Sequence, residues 1–492
     1  MMKPLLLCAA TCFTLPALAL DGDVAIHDPS TVILHAGRYY TYGTGNGLPM
    51  LTSEDGWTWQ RRGTLLSALP GGKPGPEVIA RGGDNSWAPD VIHIGDKFFV
   101  YYSAPGTQPK SAIGLLIGRT LDPDSPDYRW EDGGPVAWSD GVEDSNAIDP
   151  GVLLAPDGRL WLTYGSYFGY IRLVELNPKT GKRLDPRKPP LDIAINSEAS
   201  IPIYHDGWYY LLVTHGSCCQ GASSTYNIRV GRARKITGPY LDNMGVDMLE
   251  GGGKLFAASR GRHVGPGHFG LLDLGEGVQK FSLHYEADLD GGGISVLDIR
   301  PLLWREGWPV AGDNLVAGTY TIESARTGTV LELAVQGYPV GGYRQRRPPE
   351  PRPGPDPAIP DQTAVDVAAN WPATTDVRLA PAMLQAQQKW AIVPVPGAGA
   401  TPGAPWFRIS IEGTERSLTA TADAELTAAV FSGKPEQLWR IDQLTDGYYR
   451  IGPQSVPGTS DTLSLSAVGS SMPTLAKFDP ASDRQRWWLG AP

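Results

Sequence analysis

Between residues 21 and 308 the apolar positions fall in short runs instead of at helical spacing. The segments "KFFVYYSA", "LWLTYGS", "GWYYLLVTH" and "FSLHYEAD" each mix aromatic with aliphatic or β-branched residues. Each follows a small polar turn ("IGDK", "PDGR", "YHDG", "GVQK"), and "HAGRYYTYGT" near residue 35 is a fifth copy. Runs of this composition, bounded by turn residues, predict strands. Five turn-plus-strand units spaced roughly 50 to 75 residues apart read as a repeat. Four-stranded sheets set radially satisfy that spacing, so the pattern predicts a five-bladed β-propeller over residues 20–310. In such a ring the first strand of each blade lines the axis, and the starts of those strands meet at one mouth.

The texture changes after "GWPVAGDN". Residues 315–335 are strand-like, and residues 342–360 form a Pro- and Arg-rich stretch with no capacity to build a core. Beyond it the signature Gln-x-Trp occurs three times, at Gln388–Trp390, Gln437–Trp439 and Gln485–Trp487, with near-equal spacing. One copy is noise; three predict a threefold repeat over 315–492. The Pro-rich stretch is either an insertion in the first unit or a divider between the domains. The chain is expected to be all-β, because glycine (60) and proline (44) are spread along it and long helical periods are scarce.

Composition narrows the partners. The net charge is −10 and no strongly basic block occurs, which argues against nucleic acid. Fifteen Trp and twenty Tyr supply a large core and, for a minority of them, flat platforms for sugar rings. Residues 1–19 carry Lys3, an apolar stretch and Ala17-x-Ala19, the pattern of a secretory signal cut after Ala19. No later stretch is long and apolar enough to span a membrane. The expectation is a secreted or periplasmic monomer. The two cysteines beyond the leader, Cys218 and Cys219, are adjacent; they either close a vicinal disulfide or stay reduced and buried.

The chemistry lies in acidic residues placed just before the repeated strands. Asp28 in "AIHDPSTVIL", Asp90 in "SWAPDVIHI", Asp149 in "NAIDPGVLL" and Glu198 in "NSEASIPIY" share a setting, and "HVGPGH" precedes the fifth copy. One Asp-Pro is a capped turn. Repetition at matched positions points instead to carboxylates gathered at the mouth. Glycoside hydrolysis needs one carboxylic acid to protonate the leaving oxygen and a second carboxylate to activate water or attack carbon. A third carboxylate nearby can hold the acid's pKa up.

Taken in order, "HDPS", "WAPD", "AIDPGV", "SEAS" and "GPGH" resemble the glycoside hydrolases of family 43, over residues 24–308, nearest its arabinanase and arabinofuranosidase branches. The resemblance implies a five-bladed propeller that inverts the anomeric centre. It gives Asp28 the place of the general base, Asp149 that of the residue tuning pKa and orienting substrate, and Glu198 that of the general acid. It also implies that Trp87 packs on a sugar ring, that Asn146 and Ser166 face the sugar, and that His268 on the axis holds a calcium or another ion. The "CC" of Cys218 and Cys219 matches a rim loop of one arabinanase-like branch. The Gln-x-Trp units resemble the ricin-B-type β-trefoil, whose members bind sugars. Asp423 offers a pocket residue in one repeat only. The implied activity is endo-cleavage of α-1,5-L-arabinofuranosyl linkages in plant cell-wall arabinan. An exo-acting arabinofuranosidase, a β-xylosidase and a non-catalytic sugar-binding protein are the alternatives.

Overall fold

The computed structural model describes residues 20–142, 145–335, 376–395, 397–469 and 472–491. Residues 1–19, expected from the sequence to be a leader, and the Pro-rich stretch at 342–360 lie outside the described residues. Five sheets, each with four strands in chain order, follow one another to residue 311, and the first gains a short extra strand. This is the expected five-bladed propeller. The innermost strands are Ile33–His35, Trp87–Ile94, Gly151–Leu154, Glu198–His205 and Val264–Asp273.

The repeated apolar runs are the second strands of the blades. Each is covered on both faces, which is why it reads as a continuous run without alternation. Phe98, Val100 and Tyr102 pack toward blade 1 with Tyr40 and Tyr42. Phe99 and Tyr101 turn the other way and pack on Leu160, Leu162 and Tyr164 of blade 3. The same sharing recurs between blades 3 and 4 through Trp161, Leu173 and Leu211, and between blades 4 and 5 through Leu212, Phe269 and Phe281. Between blades 5 and 1 it runs through Trp59, Leu51, Leu297 and Ile299.

An N-terminal segment closes the ring. Asp21–Gly22 pairs in parallel with Thr58 and Trp59 on the outer strand of blade 1. A few residues on, Ile26 N–H donates to Ser295 O (3.0 Å) and Leu297 N–H to Val24 O (2.8 Å) in blade 5.

The C-terminal region forms a closed six-stranded barrel. Around the ring run Gly318–Ser324, Trp487–Gly490, Tyr449–Pro453, Trp439–Gln443, Phe407–Ile411 and Trp390–Pro394; among the described residues three longer strand pairs and the short pair Ala400–Thr401 with Ala404–Pro405 accompany it. The Gln-x-Trp signature builds it. Trp390, Trp439 and Trp487 are fully buried, and their indole N–H groups donate to the carbonyls of Leu331, Leu418 and Leu465. Each Gln straps its own hairpin by side-chain bonds to backbone, as Gln437 does to Ser432 N–H and Val430 O. The barrel abuts the turns of blades 1 and 5 at the end of the propeller away from the strand starts. There Thr445 exchanges backbone bonds with Trp304 and Gly277, and Gly403 N–H donates to Asp55 O.

Asp90 does not belong with the other acids. It lies two residues further into its strand, almost wholly buried, and takes Thr31 N–H (3.1 Å) from blade 1 and Val152 N–H (2.9 Å) from blade 3. It ties three innermost strands together. Replacing it by Ala strands two buried donors, so Asp90→Ala is expected to lower the unfolding free energy by about 2–4 kcal/mol. A fall in the urea midpoint measures this; an unchanged midpoint would refute the strapping role.

Candidate active site

Five residues at the strand starts share an unusual backbone. Asp28 (φ 49°), Ala88 (35°), Asp149 (57°), Ala199 (48°) and His268 (61°) are all left-handed, one per blade. For residues with a Cβ this conformation costs about 1–2 kcal/mol each, so something must hold it. In four cases the N–H of the left-handed residue donates to a side chain at the end of the preceding blade's second strand. Ala88 donates to Thr44 Oγ1 (2.8 Å), Asp149 to Ser103 Oγ (2.8 Å), His268 to Thr214 Oγ1 (3.0 Å) and Asp28 to His284 Nδ1 (3.1 Å).

The fifth case differs. The blade 3 counterpart is Gly165, whose N–H pairs with Ile148 O as Thr44 N–H pairs with His27 O. A Cβ at Gly165 would stand 2.3 Å from Tyr170 O, and its φ is 136°. No side chain is available there, and Ala199 N–H donates instead to Asp149 Oδ2 (3.1 Å). Asp149 is thereby aimed at the residue after Glu198.

This ring corrects the register read from sequence. Ala88 and Ala199, not Asp90 and Glu198, are the counterparts of Asp28 and Asp149. Glu198 and Trp87 each sit one step earlier, paired with Thr214 and Ser103 respectively. Bulges follow both residues.

The three acids have different surroundings. Burial alone would raise Asp28, but the neighbouring histidines, His27 and then His268, outweigh burial and hold it well below the usual carboxylate range. The nearest ring nitrogens of His27, His268 and His284 stand 3.5, 3.5 and 3.7 Å from Oδ1, and Thr44 Oγ1 donates to Oδ2 at 2.6 Å. Burial pushes Glu198 up to about 7, with Asp28 adding to the rise and a hydrogen bond from Tyr226 opposing it. Asp149 is also pushed well above its ordinary value, first by burial, then by Glu198 and Asp28. Asp149 and Glu198 therefore titrate as a pair.

The remaining expected residues are placed as follows. Trp87 is half-buried at the start of its strand. Asn146 is fully buried; its amide oxygen accepts from Ser111 (2.8 Å) and its amide nitrogen donates to Ser166 (3.1 Å), bracing the segment before Asp149. His268 is 2% exposed; its Nδ1 faces Asp28 Oδ1 at 3.5 Å, and its Nε2 has no hydrogen-bond partner among the described residues. The open Nε2 of a buried imidazole fits a metal ligand. A second cluster, His27, His284 and Glu286, lies close enough to share an ion. His284 does not fit that role: its Nδ1 accepts Asp28 N–H and its pKa is driven far down by burial, so the neutral ring carries its proton on Nε2. Glu286 accepts from Ser295, which in turn contacts His27 Nδ1 (2.9 Å) and fixes that ring. Cys218 and Cys219 are joined in a vicinal disulfide, with Cys219 Sγ 3.9 Å from His27 Nε2 on the rim.

Sequence reasoning missed His27, Thr44, Tyr226, His284 and the exposed pair Tyr167 and Phe168, on the loop after Ser166. Tyr167 lies within electrostatic reach of Glu198. The histidines carried a signal, since His27 adjoins Asp28 and His284 sits in the fifth repeated strand. Tyr226 carried none.

A carboxyl that keeps its proton near neutrality, a carboxylate held ionised and a third acid tuning the pair, set around one mouth of a propeller, are the equipment of a glycoside hydrolase. The chain belongs to the glycosyl hydrolases of family 43, whose family model matches residues 22–309. It is 33% identical over 319 residues to the extracellular exo-α-(1→5)-L-arabinofuranosidase of Cellvibrio japonicus, covering 61% of this chain and 90% of the relative. It is 34% identical over 295 residues to the extracellular endo-α-(1→5)-L-arabinanase 1 of Bacillus subtilis, covering 58% and 87%. The α-L-arabinanase of Cellvibrio cellulosa complexed with arabinohexaose superposes with a TM-score of 0.54 at 31% identity, over 58% of this chain and 95% of that one.

The Tyr226 hydrogen bond favours ionised Glu198. In Tyr226→Phe the Glu198 pKa therefore rises, and the basic limb of kcat/KM, expected near pH 7 in the parent, moves up by roughly one pH unit. A limb that stays put or moves to lower pH would refute the assignment of that limb to Glu198.

Proposed function

We propose that the protein is a secreted, inverting hydrolase that cleaves α-1,5-L-arabinofuranosyl linkages within arabinan. The observation that carries this reading is the split between two carboxyls at one mouth: Asp28 held ionised, Glu198 held protonated up to about pH 7. Glu198 donates its proton to the glycosidic oxygen. Asp28 takes a proton from the water that attacks the opposite face of the sugar. Asp149, fixed by Ala199 N–H, titrates with Glu198 as a pair, and the pair keeps a proton available for the leaving oxygen. Arabinan as substrate is supported by the relatives, which are named for α-1,5-arabinan activities, both exo and endo.

Trp87, Tyr167 and Phe168 offer aromatic faces to sugar rings. Asn146 and Ser166 present the Asp149 segment to the sugar. His268 would hold an ion on the axis, with waters completing the shell; calcium prefers oxygen donors, so one imidazole fits a hydrated ion best. Such an ion, held by His268, would supply a fixed positive charge at the axis. We read residues 1–19 as a signal and residues 20–310 as the catalytic propeller. The six-stranded barrel with its three Gln-x-Trp units is read as a ricin-B-like β-trefoil over 315–492.

Digestion of debranched linear arabinan is expected to yield a ladder of short arabino-oligosaccharides, with NMR detecting the inverted anomer first. Monosaccharide alone would replace the endo reading by an exo one. No product from folded protein on arabinan, xylo-oligosaccharides or an aryl arabinofuranoside would sink the hydrolase. Glu198→Gln is expected to lower kcat by about 10²–10⁴-fold with unchanged circular dichroism. A binding protein would show no effect of that change.

A further inference from the structure

A cleft of about 620 Å³ opens where the barrel meets the propeller. A second cavity of about 430 Å³ runs on from it along blades 1 and 5 and shares Glu276, Pro402, Arg440 and Arg450. Both lie at the far end of the propeller from Asp28, so neither belongs to the catalytic mouth. The cleft is completed by two domains, with Glu276 from blade 5 and the rest from the barrel side.

Its lining has a definite chemistry. Trp406 and Phe478 are half-buried and contribute aromatic surface. Ser464 is 3% exposed, lines the cleft, and its hydroxyl has no hydrogen-bond partner among the described residues. Arg440 is ion-paired with Asp442, its Nε 2.5 Å from Oδ2, and its terminal nitrogens make no hydrogen bond among the described residues. The charges balance: Asp442 serves both Arg440 and Arg450, Glu276 takes a second bond from Arg450, and Asp461 faces Lys477. With these pairs counted the cleft carries no net charge, so it offers a charged ligand no net attraction. A neutral polyol needs only the aromatic surface for its C–H face and the unpartnered hydroxyl and guanidinium groups for its own hydroxyls.

We propose that this cleft is a second oligosaccharide site, taking a stretch of neutral sugar chain away from the catalytic mouth. It holds a polysaccharide while another stretch is cut. The site does not depend on which linkage the propeller cleaves.

The test uses the full chain carrying Glu198→Gln, titrated calorimetrically with arabinohexaose, xylohexaose and galactotetraose, and separately with trigalacturonate, at low and high salt. At least one neutral probe is expected to show a binding component that high salt leaves unchanged. Trp406→Ala is expected to weaken that component roughly ten-fold. Thr462→Trp, which fills the cleft from an exposed position, is expected to abolish it. In the parent background both changes should leave kcat/KM on an aryl arabinofuranoside or other short substrate within about two-fold while lowering retention on the polymer. The proposal is overturned if no neutral probe has a component sensitive to either change. It is equally overturned if the only component lost is salt-sensitive binding of trigalacturonate. Loss of short-substrate turnover in Glu198→Gln alone bears on the catalytic reading and leaves this one standing or falling on the titrations.

Discussion

The site depends on five backbone N–H groups. Each belongs to a left-handed residue at the start of an innermost strand, and each must find an acceptor because the ladder cannot supply one there. The preceding blade offers a hydroxyl or an imidazole in four cases. Thr44 shows how tightly this couples scaffold to chemistry: one oxygen accepts Ala88 N–H and donates to Asp28. Blade 3 lacks such an acceptor because Gly165 has no room for a Cβ, and its place is taken by the carboxylate of Asp149. A steric limit in blade 3 thus decides where one of the three acids points.

Burial works against ionisation at all three acids, yet they end in different states. The neighbours sort them. Asp28 has His27, His268 and a hydroxyl beside it, which favour the anion. Glu198 and Asp149 face each other and Asp28, which favours a retained proton. Tyr226 moderates the rise at Glu198, keeping its transition near neutrality instead of far above it. The geometry therefore prepares a donor and an acceptor without moving any group.

The parts of the fold that were legible in the chain are those where a physical demand leaves a local trace. Second strands sandwiched between blades must be apolar on both faces, so "KFFVYYSA" and its copies stand out. The Gln-x-Trp triplets stand out because each pair is consumed by its own hairpin and by the barrel core. Asp28, Asp149 and Glu198 were legible from their motifs, but their register was not. A bulge after Trp87 and another after Glu198 shift the count, and no alternation pattern records a bulge. Asp90, two residues beyond Ala88, looked like a site acid and is a strap between blades. Tyr226 reaches Glu198 from 28 positions away, and nothing around it in the chain announces the contact. The far cleft was invisible for the same reason: it exists only once Glu276 and the barrel are brought together.

The short N-terminal segment that joins blade 1 to blade 5 sets an order of events. Its contact through His27 and Ser295 spans 268 positions, whereas the strands within a blade are neighbours in the chain. Each blade can assemble from neighbouring stretches of chain, but the ring can lock only when blade 5 is present. Until then His27 and Asp28 have no His284 or Ser295 to meet, so the mouth is incomplete until the last blade is in place.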